Sequence, residues 1–238
     1  MRHRLACAIQ LALIASFLGS ATGCGLFSKD LVSTTFDLPP KTYSFDTSAW
    51  HLPAGDIPAV PCGDGQAVMD CCHPPDPLPQ PDCSVNMLSC DAGMCALHIP
   101  ITLPPQKIDL KMEVPALGSF SNQSVINVSI TQITYTYAST MNVDLPPVDL
   151  YIAPQDVSSP SDPSAKKFGT TKVVPAGSMG QDNVILDPAG GAAFTDAAHH
   201  FGTPFNFIAS TEVVVPSGSP IPSGGVTITV QGKARAGL

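Results

Sequence analysis

From Gln106 onward apolar and polar positions alternate. Ile108, Leu110, Met112 and Val114 are separated by Asp109, Lys111 and Glu113, which predicts one half-buried strand. Ile126, Val128 and Ile130 continue the period, then the apolar set moves to Ile133, Tyr135 and Tyr137. One extra residue near Thr131–Gln132 accounts for that slip, as a β-bulge or bend. A second slip separates Met141, Val143 and Leu145 from Val148, Leu150 and Ile152, across Pro146-Pro147. Proline donates nothing to a ladder, so this point reads as an edge, a kink or a crossing between sheets. Further strands are predicted at Lys172–Val174, Val184–Leu186, Phe205–Ser210, Glu212–Val215 and Val226–Gln231, the last two joined as a hairpin through the Pro/Ser/Gly run 216–225. Upstream, Phe36/Leu38 and Tyr43/Phe45 predict one or two short strands that join the later sheet, and Gly191–His200 predicts a short helix.

About eight strands at this spacing imply an all-β fold, an antiparallel β-sandwich of immunoglobulin- or fibronectin-like arrangement. Composition agrees. The chain has 25 Pro and 19 Gly, only 13% charged residues, and a second half filled with Val, Ile and Thr.

Residues 51–105 break the pattern. Proline is frequent, apolar periodicity is nearly absent, and six cysteines cluster: Cys62, Cys71, Cys72, Cys83, Cys90 and Cys95. In an oxidising compartment this set implies three disulfides on a loop-rich insert, with the connectivity open. Cys71 and Cys72 are adjacent, so each is expected to take a separate partner. Zinc is not expected, because the segment has neither Cys-x2-Cys nor His-x3-5-His spacing. The acidic residues here lack the alternation of a calcium loop.

The N-terminus explains the compartment. Met1-Arg2-His3-Arg4 is basic, Leu5–Leu18 is apolar apart from Gln10 and Ser16, and 19–23 are small residues. That order is a secretory signal, too short for a spanning helix. Ala21-Thr22-Gly23-Cys24 resembles the lipobox of bacterial lipoproteins, which implies lipidation of Cys24 and, with Gly25 rather than Asp following, an outer-membrane location. Parity supports it: with Cys7 removed alongside the leader and six cysteines paired among themselves, Cys24 is the one left over. Ala21-Thr22-Gly23 also suits an ordinary signal peptidase, which would release a free periplasmic or secreted protein. The expected organisation is a signal peptide over 1–23, an anchored tether with short strands over 24–50, the stapled segment over 51–105 and the sandwich over 106–238.

The net charge is −8 at pH 7 and becomes two units more negative without Arg2 and Arg4. Such a field repels nucleic acid, so no nucleic-acid partner is expected. One catalytic pattern stands out. Ala176-Gly177-Ser178-Met179-Gly180 resembles the nucleophile elbow of lipases, and Asp196 and His199 follow in the chain order of α/β-hydrolases. That fold needs parallel strands alternating with helices, whereas Ser178 leads into another short strand. Asp196, His199 and His200 would share a helix face but lack a further metal ligand nearby. Phe194, Phe201, Phe205 and Phe207 read as core, or as a hydrophobic patch where exposed. The sequence therefore points to a non-catalytic envelope lipoprotein without cofactor or metal. It is expected to be anchored to the membrane through Cys24 and to serve as a binding or structural module toward an unidentified envelope protein or surface ligand. A tethered hydrolase using Ser178 and a carrier of an apolar ligand between the sheets are the alternatives.

Overall fold

The structure, a computed structural model, describes residues 33–50, 59–63, 71, 88–115, 127–200 and 202–237. The leader, Cys24, Cys72, Cys83 and Phe201 lie outside the described residues.

Among the described residues, eleven strands form two antiparallel sheets packed as a sandwich. The first sheet has the order β1 (Ser33–Asp46), β11 (Gly225–Gly237), β5 (Asn127–Ser139) and β8 (Met179–Asn183). The second has the order β2 (Leu88–Asp91), β3 (Met94–Thr102), β10 (Phe205–Pro216), β6 (Asp149–Pro154), β7 (Lys166–Thr170) and β9 (Ile185–Leu186). A short β4 (Gln106–Ile108) also pairs with β10.

The alternation seen in the sequence becomes the two inner faces. Tyr43, Val128, Ile133, Tyr135, Ile228 and Val230 from the first sheet are buried, as are Ile99, Ile101, Leu150, Ile152, Phe168 and Phe207 from the second. Burial of such side chains is the main stabilising term of the fold. Tyr43 also links the layers, because its hydroxyl donates to the Phe207 carbonyl at 3.0 Å. Burial pushes the Tyr43 phenol well above its ordinary pKa.

Both parity slips have structural causes. Gln132 pairs with Lys233 and Ile130 with Ala234, so Thr131 is the extra residue of a bulge in β5. Past Ser139 the chain leaves the first sheet, and at Asp149 it enters the second, so Pro146-Pro147 marks a crossing. β1 is one strand, interrupted where Pro39 and Pro40 bulge out between the pairs Leu38–Gly232 and Lys41–Val230.

Three expected elements are corrected. Only residues 106–108 of the predicted strand are extended; Leu110–Glu113 form one helical turn, α1. Asp109 caps it by accepting from the Met112 N–H at 3.1 Å, and Glu113 reaches back to the Asp109 N–H at 3.0 Å. Leu110 and Val114 are buried one turn apart while Met112 is 76% exposed, a period of four that alternation had mimicked. Lys172–Val174 is no strand: Val174 makes an isolated bridge to Leu145, and the strand lies earlier, at β7. The stretches before and after 216–225 do not form a hairpin. β10 is one continuous strand of the second sheet and β11 belongs to the first, so this connection crosses the sandwich.

The predicted helix is present as α2 (Pro188–His199), with Asp187 as its N-cap and Pro188 in the first turn. It packs on β5, β6 and β7, and so touches both sheets. Phe194 enters the core against Phe168 and Phe205. Gly190 permits the approach, since a Cβ there would sit 2.3 Å from the Phe168 Cα. Phe194, Phe205 and Phe207 are all buried, so this aromatic set is core.

Two disulfides, Cys62–Cys90 and Cys71–Cys95, hold the Cys-rich segment to the β2–β3 hairpin. Cys71 thus takes a partner other than its neighbour Cys72. Residues 60–62 run beside 93–95, with Cys95 N–H donating to the Val60 carbonyl and Cys62 N–H to the Gly93 carbonyl, each at 3.0 Å. No helix among the described residues is long and apolar enough to cross a membrane.

Candidate functional site

Helix α2 leans on β6 and β7 and leaves a groove of about 330 Å³ along its C-terminal half. Its floor is apolar: Ile152 from β6, Phe205 at the start of β10, and Ala193 and Ala197 from α2. Polar groups stand around it, namely Ser164, Lys166, Asp196, His200 and Thr203. The volume falls at the lower end of the range for small-ligand sites, and the mixture of apolar floor and few polar groups matches their usual composition.

Each polar group is placed by its local structure. The Lys166 ammonium donates to the Pro163 carbonyl at 2.7 Å, which holds it at the mouth of β7. His200 caps α2: its backbone N–H and its ring Nδ1 both reach the Asp196 carbonyl, the ring at 3.0 Å. A carbonyl only accepts, so Nδ1 carries the proton and Nε2 is left as the second functional nitrogen. Thr203 is positioned by its N–H, which donates to the His200 carbonyl at 2.7 Å. An ammonium, a carboxylate and an imidazole around an apolar floor can orient a small polar ligand.

The hydrolase residues are distributed differently. Ser178 follows a turn whose Gly177 has φ +57°, and its hydroxyl donates to the Pro175 carbonyl at 2.6 Å. Its own carbonyl accepts from the Ser139 N–H at 2.7 Å, which ties the turn to β5. Strand β8 follows, in a sheet whose ladders are all antiparallel, rather than the helix of a nucleophile elbow. Asp196 lies on α2 and borders the groove, while Ser178 and His199 are not part of its lining.

Between the sheets, at the Phe168–Phe194–Phe205–Phe207 cluster, is a cavity of about 30 Å³. This is about the share of one water in the liquid, and well below the ~150 Å³ that takes a benzene-sized guest. An acyl chain would require the sheets to part.

One polar cluster was not legible in the sequence. His98 on β3 is bonded on both ring nitrogens, Nε2 to Asp91 Oδ2 at 2.9 Å and Nδ1 to Glu212 Oε1 at 3.0 Å. The three residues are 7 and 114 positions apart, and only the strand pairing brings them together. Among the described residues the one group of thiols, imidazoles and carboxylates close enough to share a metal is Cys62, Cys71 and Cys95. All three sulfurs are committed to disulfides, which removes them as thiolate ligands.

No protein-family model and no curated protein matches the chain. Solved structures that align with it include two infectious bursal disease virus strains. The Gt strain shows 8% identity and a TM-score of 0.29, over 87% of this chain and 38% of the viral one. The Gx strain shows 11% identity and a TM-score of 0.26, over 83% and 36%. Desmodium yellow mottle tymovirus aligns at 13% identity and a TM-score of 0.21, over 68% of this chain and 94% of the other. The chain spans little more than a third of the length of the first two. Scores of this size carry no weight for function.

Proposed function

We propose that this protein is a non-catalytic, exported module held at the cell envelope by lipid on Cys24, where its sandwich presents the α2 groove to a small ligand or a partner segment. The observation that carries this reading is the stapled edge of the second sheet. Cys62–Cys90 and Cys71–Cys95 are disulfides of a kind that persists in oxidising compartments, in a chain that opens with an export signal. The lipobox-like Ala21-Thr22-Gly23-Cys24 then supplies the anchor, and several acyl chains at about 0.8 kcal/mol per buried CH₂ give durable attachment. Gly25 favours the outer membrane by the same resemblance. The groove suits binding more than turnover, since its ammonium (Lys166) and its imidazole (His200) are each held by a backbone carbonyl.

Intact-mass measurement of the protein extracted from membranes tests the anchor. The expected result is an acyl mass on Cys24 that disappears in Cys24→Ala, with the variant found in the soluble fraction. An unmodified N-terminus overturns the anchor. Esterase activity abolished by Ser178→Ala overturns the non-catalytic reading.

A further inference from the structure

Three strands of the second sheet meet at the imidazole of His98. Directly across the ladders, His98 faces Val214 on β10, and Asp91 faces Met94. Both carboxylates therefore reach the ring diagonally, Asp91 from β2 and Glu212 from β10. The geometry fixes the protonation state. A neutral imidazole has one N–H, so two carboxylate oxygens at 2.9 and 3.0 Å from its two nitrogens require both to be donors. The ring in this arrangement is an imidazolium. Asp91 is further held by the Ser89 hydroxyl, which donates to its other oxygen at 2.7 Å. The charged side chains of the three strands are Asp91 on β2, His98 on β3 and Glu212 on β10, with no others on them.

We propose that His98 is a proton-operated pin that fastens the disulfide-stapled edge strand β2 to β10 across β3. With the proton, the ring ties Asp91 to Glu212. Without it, the ring keeps one hydrogen bond and turns a lone pair toward the other carboxylate. β2 is the side that yields, because it is four residues long and lies at the sheet edge, whereas β10 is twelve residues long and lies inside the sheet, between β3 and β6.

The direction of the pH response follows. Partial burial of the His98 ring disfavours its charge, but the hydrogen bonds to Asp91 and Glu212 outweigh it and raise the pKa. The Ser89 hydroxyl first, and then His98, lower the pKa of Asp91, so the tie persists into acid. A folded-state histidine pKa above the ordinary ~6.5 means the pin is engaged below that value and released as pH climbs through the raised one.

Two readouts on the full, oxidised chain must agree. Proton NMR gives the pKa of His98, expected above ~6.5, and hydrogen exchange gives the protection of the Leu88–Asp91 amides. A loss of about three- to tenfold in protection is expected between pH 5.5 and 8.5. In His98→Gln, whose amide keeps one donating and one accepting end at every pH, protection should be flat across that range. Asp91→Asn should lower the His98 pKa. A His98 titrating at or below ~6.5, or β2 protection independent of pH in the unaltered chain, overturns the pin.

Discussion

The described residues form two apolar cores that are held by different means. The larger lies between the sheets and takes in nearly all the alternating residues of β1, β5, β10 and β11, the aromatic cluster and one face of α2. The smaller lies under the β2–β3 hairpin and consists of Val60, Cys71 and Cys95, with Cys62 and Leu88 against them. Burial alone can stabilise the first. The second buries too little apolar surface to hold itself, so two covalent bonds and the His98 tie replace it. One chain thus uses area where alternation is long enough, and cross-links where proline and cysteine prevent alternation.

The sharpest way to break the contrast is to remove a side chain on which the large core depends. Phe168 is 1% exposed, touches Phe194 and Phe207, and carries the Gly190 contact of α2 on its backbone. Phe168→Ala should cost about 4 kcal/mol in urea unfolding, and exchange protection should fall across both sheets together. Loss confined to α2 would mean that the helix is an appendage rather than part of the core.

Removing the covalent tie should act locally. The double substitution Cys71→Ser, Cys95→Ser opens a link of sequence separation 24, for which loop closure gives about 3 kcal/mol. Protection should collapse over β2 and residues 60–62 while the β1–β11–β5 ladders stay protected. A uniform loss over both sheets would show that the small core is continuous with the large one.

How much of this was visible in the residues follows the same division. In the large core, the slips at Thr131 and Pro146-Pro147 were legible because one missing or unpaired residue shifts every later side chain to the other face. Leu110 and Val114 misled because i and i+4 satisfy both a two-residue and a helical period, and the capping by Asp109 and Glu113 decides between them. The 216–225 connection misled because turn chemistry says that the chain bends, not which sheet it bends toward. In the stapled region, Leu97, Ile99 and Ile101 do alternate and serve the large core, but the surrounding proline and cysteine hid β3. The groove draws on β6, β7, α2 and β10, and the His98 tie joins residues 91, 98 and 212. Neither exists as a local pattern.

Tyr43 joins the two layers within the large core, and its removal should be smaller in effect. Tyr43→Phe leaves the Phe207 carbonyl without that donor, at about 1 kcal/mol. The pH dependence is the more telling readout. A phenol whose pKa is raised by folding contributes stability that is complete below the unfolded value of about 10 and is lost as pH rises beyond it. The unaltered protein should therefore lose stability above pH 10 more steeply than Tyr43→Phe. Parallel curves would show that Tyr43 ionises as freely in the fold as outside it.

The smallest effect should run in the opposite direction, and it concerns the stapled edge. The β2–β3 turn places Ala92 at φ +52° and Gly93 at φ +81°, the pair of positive values that a tight two-residue hairpin demands. Glycine adopts this region freely, whereas alanine pays a steric penalty and asparagine is better tolerated. Ala92→Asn creates the Asn-Gly pair favoured in such turns and should stabilise the protein by about 0.5–1 kcal/mol, read as a higher urea midpoint with unchanged slope. The gain should show in exchange at Leu88–Asp91 and exceed there any change at β11. It should also persist in Cys71→Ser, Cys95→Ser if turn and cross-link act on β2 independently, since effects without shared partners add. A gain that vanishes in this doubly substituted background would mean that the Cys71–Cys95 disulfide alone imposes the left-handed turn.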